Sequence, residues 1–312
     1  MTTFARLSAA AYSVGKTLPV SALQQSENVA PGVIAELEKR GLRYFCDDDR
    51  TIAEMCLASA SQTLERARLR PDQIDAIVVG PSFARWDLDE EFALLSALHR
   101  AGFQKTRIIG LSLQACGVLG SALKVAGDLV TQEQGGRKNV LLIVFGRHFE
   151  GSRLAPQATV LFSDGAASCI VSSDSGEFEI LAAESLTDPF LTTMQWTDAN
   201  FPRYLQAGIV ALKEVTSRVY RQTQVSAKEI TAVFGTNGSH MYLDMIGLAS
   251  GISGSKVYKG ALPKYAHVFG CDNLIGLRDL SDETKLSNGQ YFLLVSWAPY
   301  VVGAAMLRYV GN

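Results

Sequence analysis

The chain has 312 residues, 47% of them hydrophobic and 19% charged, with a formal net charge of −2. That length holds one large domain or two packed ones of about 150 residues each, and the composition is that of a globule with a sizeable core. The small net charge excludes a strong field for nucleic acid or an anionic membrane, and no apolar run approaches the roughly 20 residues of a spanning helix.

The first residues, Met1 to Arg6, lack the charged start, apolar core and cleavage site of a signal peptide, so the cytoplasm is the expected compartment. The five cysteines are Cys46, Cys56, Cys116, Cys169 and Cys271. Their number is odd and no CxxC occurs, which argues against a disulfide framework or a metal site.

Strand and helix patterns alternate along the chain. Ile52, Met55, Cys56, Ala58, Leu64 and Ala67 fall at helical spacing and predict a helix over 51–69, with Asp49 or Thr51 as its cap. A turn at Arg70-Pro71-Asp72 leads to a strand at 74–80. A second helix is expected at 90–101 and a short strand at 107–111. A long helix follows from about 117 to 130, broken by Gly135-Gly136. The apolar runs 139–145 and 165–171 suit strands buried on both faces. The fold class is therefore α/β, or layered α/β/α.

The order of elements then repeats. Helix followed by Ile74-Asp75-Ala76-Ile77-Val78-Val79-Gly80 in one half matches helix (about 207–222) followed by Ile230-Thr231-Ala232-Val233-Phe234-Gly235 in the other. The runs 140–146 and 291–297 each precede a Gly-Ala-Ala strand, at Gly165 and Gly303. Two similar halves are expected, 1–172 and 173–312; two unrelated α/β domains are the alternative.

Cys116 stands between a strand and a helix whose Val118, Leu119, Ala122, Val125, Ala126 and Leu129 form one apolar stripe. Small residues at Gly117, Gly120, Ser121 and Ala122 let neighbouring backbone approach. A thiol at a helix N-terminus feels the positive end of the dipole, and the N–H groups there can hold an anionic oxygen. None of the other cysteines has this setting; core or loop packing is their simpler explanation.

Ser112-Leu113-Gln114-Ala115-Cys116-Gly117, Leu161-Phe162-Ser163-Asp164-Gly165-Ala166-Ala167 and Asn288-Gly289-Gln290-Tyr291-Phe292-Leu293-Leu294 resemble three segments of the β-ketoacyl-acyl-carrier-protein synthase III family of the thiolase superfamily. The resemblance implies a five-layered α-β-α-β-α duplication and a dimeric unit. The acyl donor would be a thioester of coenzyme A or acyl carrier protein, a substrate, with no bound cofactor. Cys116 would carry the acyl group, and the N–H groups of Cys116 and Ala298 would form the oxyanion hole. Pro299 in the same loop has no N–H to offer.

The chain departs from the family at its histidine and asparagine. An ungapped comparison puts Thr236 where the family has histidine and Ser239 where its P-H-x-x-N segment has asparagine. His267, with Asp272 five residues on, falls where the family's second asparagine would be. This resembles the G-H-x-x-x-x-D pattern of natural-product acyltransferase relatives. Condensation needs two donors for an enolate, whereas simple acyl transfer needs one base and its orienter. A Cys116–His267–Asp272 set meets the second need, and transfer to a small-molecule acceptor is the expectation. A condensing synthase for fatty acid or polyketide chain starting, and a non-catalytic subunit of a heterodimer, remain the alternatives.

His240 is the rival base. His267 can equally be a packed histidine and Asp272 a helix cap. His99 and His148 read as surface or loop residues. Trp86, Phe92, Phe190, Met194 and Trp196 can line an acyl pocket or pack in the core, and Arg147, Arg153 and Arg203 can meet donor phosphates.

Overall fold

The computed structural model describes residues 4–82, 86–131, 138–149, 151–193 and 199–311. Its first half contains β1 (Arg6–Val14), β2 (Lys16–Pro19), α1 (Leu23–Ser26), α2 (Pro31–Lys39), β3 (Tyr44–Asp47), α3 (Ile52–Ala67) and β4 (Ala76–Ser82). It continues through α4 (Leu88–Arg100), β5 (Arg107–Gly110), α5 (Val118–Thr131), β6 (Asn139–Gly146) and β7 (Gly165–Ser172). The second half has β8 (Phe178–Thr187), α6 (Phe201–Thr223), β9 (Ile230–Phe234), α7 (His240–Ala249), α8 (Leu262–Tyr265), α9 (Asp272–Glu283), β10 (Tyr291–Ala298) and β11 (Val301–Tyr309).

Local sequence accounts for the boundaries. Thr51 caps α3 in a capping box with Glu54, whose N–H reaches Thr51 Oγ1 at 3.2 Å. Helix α6 begins at Phe201, earlier than its apolar spacing suggests, because Pro202 suits the first helical turn.

The sheet order is β5-β4-β6-β7-β1-β8-β11-β10-β9. Strand β1 pairs with β7 over most of its length but with β8 only through Arg6 and Leu7. This short seam separates two half-sheets with matching order. From the seam outward the first half runs through its first, fifth, fourth, second and third strands. The second half runs β8, β11, β10, β9, which are its first, fifth, fourth and second. Its third strand is reduced to a single parallel bridge, Val233 to Val257.

Helices α5 and α9 fill the space between the half-sheets. Val118, Leu119, Ala122 and Ala126 share a core there with Leu274, Ile275 and Leu277. Helices α3 and α4 cover the outside of the first half-sheet, and α6 and α7 that of the second. The result is the five-layered α-β-α-β-α arrangement. Each fully buried leucine or isoleucine stabilises it by roughly 1.5–3 kcal/mol.

The small residues set the spacing of the central layer. A Cβ on Gly120 would lie 2.6 Å from the Glu184 carbonyl oxygen and 2.9 Å from Gly303 Cα. A Cβ on Gly165 would lie 2.8 Å from Val268 Cγ1. The two Gly-Ala-Ala strands therefore each receive the other half's central segment.

Candidate active site

Cys116 lies in the middle of a one-turn 3-10 helix, Ala115–Gly117, that runs into α5. Leu113 and Ala115 hold positive φ angles of 62° and 40°, a conformation that costs a non-glycine residue on the order of 1–3 kcal/mol. The Ser296 hydroxyl of β10 donates to the Gly117 carbonyl at 3.3 Å and ties the turn to the second half. The thiol is buried, with 3% of the residue exposed.

His267 is held at both backbone atoms by the Leu161–Asp164 segment. Its N–H donates to the Leu161 carbonyl at 3.0 Å, and its carbonyl accepts from the Ser163 N–H at 2.9 Å. The Phe162 ring stacks on Phe269, with centroids 5.2 Å apart, and flanks the imidazole. Asp164 anchors this segment by accepting from the His148 N–H at 2.7 Å and from Arg153 at 2.9 Å. Strained backbone recurs here, at Ala266 (φ 52°) and Phe269 (φ 50°).

The three side chains meet in a line. His267 Nε2 is 3.3 Å from Cys116 Sγ, and His267 Nδ1 is 2.6 Å from Asp272 Oδ2. Asp272 also accepts from the Val268 N–H at 2.8 Å and the Asn237 N–H at 2.6 Å. It is the first residue of α9, but its carboxylate is spent on the loop before the helix and on the loop after β9. Orientation of His267, not capping of α9, is what its contacts do.

Burial disfavours the imidazolium, but the negative charges of Asp272 and then Cys116, with their hydrogen bonds, outweigh it. The pKa of His267 rises to about 10. At neutral pH the arrangement thus holds an imidazolium beside the Cys116 sulfur. Burial pushes the Cys46 thiol up to about 11, and raises Cys56, Cys169 and Cys271 as well.

Thr236 adjoins this set, but its hydroxyl is already engaged. Oγ1 accepts from the Trp297 N–H at 2.9 Å and faces the Trp297 carbonyl at 3.3 Å, to which it donates. Ser239 caps α7 through the Tyr242 N–H at 3.3 Å. That cap starts the helix and carries His240 outward, where its exposed ring lies over Gly41 and its N–H donates to the Arg40 carbonyl at 2.9 Å. His240 therefore does not approach Cys116, and the rival-base reading is corrected.

A cavity of about 40 Å³ opens beside Cys116, His267 and Thr236. Val160, Phe162, Phe201, Leu205, Tyr242 and Trp297 form its apolar wall, with Ala298 and Pro299 at one edge. Ala298 pairs with Val301 across the two-residue turn that joins β10 to β11, and it packs with Cys116 and Phe269.

Over 270 aligned residues the chain is 23% identical to the β-ketoacyl-[acyl-carrier-protein] synthase III of Aquifex aeolicus, covering 84% of this chain and 85% of that one. The crystal structure of 3-oxoacyl-[acyl-carrier-protein] synthase III from the same organism matches with a TM-score of 0.82 at 18% identity, covering 98% of this chain and all of that one. The chain is ketoacyl-synthase-III-like, with the thiolase-type fold. A solved structure named ChlB3 acyltransferase shares that fold with a TM-score of 0.82 at 17% identity, over 99% of this chain and 98% of that one. No protein-family model matches.

Elsewhere in this ketoacyl-synthase-III-like chain, the residues weighed as pocket or phosphate contacts mostly take other places. Trp86 packs on Phe145, with centroids 5.1 Å apart, in the outer core. Phe92 and Phe190 are exposed; Met194 and Trp196 lie outside the described residues. Arg147 donates to the carbonyls of Arg50 and Asp48, and Arg153 pairs with Asp164 and Asp47. Both guanidinium groups are committed to holding loops, and only Arg203 of the three is exposed. His99 is exposed and His148 is a half-buried loop residue, as expected. Among the described residues no helix is long and apolar enough to cross a membrane.

Proposed function

We propose that the chain is an acyltransferase that loads an acyl group onto Cys116 from a coenzyme A or acyl-carrier-protein thioester and passes it to a small-molecule acceptor in natural-product biosynthesis, in the cytoplasm. The observation that carries this reading is the Cys116–His267–Asp272 line, combined with a Thr236 hydroxyl already bonded to the Trp297 backbone. One base with one orienter suits acyl transfer. A condensing site needs a second donor at the enolate, and Thr236 is not free to supply it.

In the first step the Cys116 thiolate attacks the thioester carbonyl, with the Cys116 and Ala298 N–H groups as candidate oxyanion donors. The carbon–sulfur bond to the donor breaks, and the departing thiolate takes the proton of the His267 imidazolium. Acylation removes the thiolate charge that helped to raise the His267 pKa. The neutral imidazole is then the base for the acceptor's O–H, N–H or S–H. The acceptor displaces Cys116, and the proton left on His267 restores the pair.

Intact mass after incubation with acyl-coenzyme A and acyl-carrier-protein donors is the test. One added acyl group, absent in Cys116→Ala, is expected; no adduct from any donor removes the proposal. The names of the sequence relatives support a second reading, a condensing 3-oxoacyl synthase. Labelled carbon dioxide released from a malonyl thioester in a Cys116-dependent way selects it instead. A non-catalytic partner subunit fits poorly with an assembled nucleophile, base and orienter.

A homodimer is the expected assembly. Strand β5 is the outermost strand of its half-sheet, and exposed Leu95 and Leu113 lie near that edge. An open edge with apolar flanks invites pairing with another chain. Light scattering that finds only monomers at working concentration would count against it.

A further inference from the structure

The small size of the cavity has an identifiable cause. Trp297 is the penultimate residue of β10, and both its N–H and its carbonyl are tied to Thr236 Oγ1. Its backbone therefore has little freedom. Its indole faces α6 at Gly208, where a Cβ would lie 2.3 Å from Cζ2 and 2.5 Å from Cε2 and Nε1. The ring fills the place of a missing side chain on that helix. The Tyr242 ring packs on it, with centroids 5.0 Å apart. The indole is thus clamped between a helix backbone and an aromatic ring. Trp297 is 5% exposed and lines the cavity together with Cys116.

A volume of about 40 Å³ holds on the order of three water-sized groups. We infer that Trp297, seated on Gly208, is the specificity-determining residue that limits the acyl group on Cys116 to about two or three carbons. This inference rests on the acyl-enzyme reading above. Helix α6 supplies the specificity by what it lacks, since any side chain at 208 would displace the indole.

The experiment is mass-spectrometric loading with acetyl-, butyryl-, hexanoyl- and octanoyl-coenzyme A, with iodoacetamide as a size-independent probe of the Cys116 thiol. The wild type is expected to take acetyl at least about 100-fold faster than octanoyl, since single methylenes in a hydrophobic pocket are worth about 10-fold or more. Trp297→Leu should raise the octanoyl-to-acetyl ratio by at least about tenfold. Gly208→Ala, which drives the indole off α6 onto the cavity, should lower butyryl loading relative to acetyl. Wild-type loading that is equal for acetyl and octanoyl overturns the inference and needs no variant. So does a Trp297→Leu protein that slows all lengths alike, as a purely structural role would. If no thioester of any length marks Cys116 while iodoacetamide does, the acyl-enzyme reading itself fails.

Discussion

The starts of α5 and α9 are counterparts in the two halves, and they differ in one decisive way. Each is entered by a one-turn 3-10 helix whose first residue has positive φ: Ala115 before Cys116, and Phe269 before Gly270. Each occupies the central layer beside the other half's Gly-Ala-Ala strand. One turn presents a thiol to the cavity. The other has a glycine at the equivalent middle position, where a Cβ on Gly270 would lie 2.5 Å from Ser82 Oγ and 2.8 Å from Val118 Cγ1. Duplication therefore built two equivalent helix entrances and spent them differently. The second half keeps its entrance closed and sets the residues around it, His267 and Asp272, in line with the thiol of the first, which they activate in the acyl transfer proposed above.

The most severe way to break this division of labour is to remove its base. His267→Ala should lower the rate of acyl loading by about 10²–10⁴-fold, read as adduct formation against time. A loss under tenfold would mean that Cys116 is activated by its own turn alone. Packing comes next. Gly120→Ala puts a methyl against the Glu184 carbonyl and the Gly303 backbone, and should cost about 1–3 kcal/mol in urea unfolding. Gly127→Ala, on the same helix with its nearest foreign atom 3.6 Å away, is the control and should cost nothing.

The pH dependence sharpens the comparison further. The folded pKa of His267, about 10, lies above its ordinary value of 6.5. Its stabilisation is therefore full below about pH 6.5 and is lost as pH rises through about 10. The stability difference between wild type and His267→Gln should shrink over that window; a constant difference would show that the imidazolium is not what holds the two halves together here. The smallest effect is expected at Ser82, whose hydroxyl is buried without a partner beside Gly270. Ser82→Ala removes an unsatisfied group and should leave the melting temperature unchanged or slightly raised.

Much of the layering is legible in the sequence because its signals are local. The apolar runs of β6, β7, β10 and β11 could only be buried strands, and the small-residue helix after Cys116 announced close packing on both sides. Cys116 stood out through its position between a strand and a helix, and His267 through the resemblance of its segment to a family pattern. The reduced third strand of the second half did not. Its segment around Val257 is rich in glycine and serine and offers one bridge instead of a run. The cavity wall was also hidden. Phe201, Leu205, Tyr242 and Trp297 come from three separate elements, and nothing in their spacing says that they converge. Arg147 and Arg153 read as free cations because the carbonyls and carboxylates that hold them come from distant loops. Gly208 was invisible for the opposite reason: a glycine within a helix looks like a weakness until the indole resting on it is seen.

The seam between the half-sheets bears on how the chain acquires this form. Arg6 and its ion-pair partner Glu179 are 173 residues apart, and β1 lies between β7 and β8, two strands that both follow it at long range. During synthesis β1 emerges early yet stays unpaired on both edges until β7 and then β8 have been made. Contacts of such sequence separation slow folding, and an unpaired strand is an aggregation hazard while it waits. The first half is thus completed from its β5–β4 edge toward the seam, and assembly of the reactive centre, which needs residues from 116 to 272, comes late in the same process.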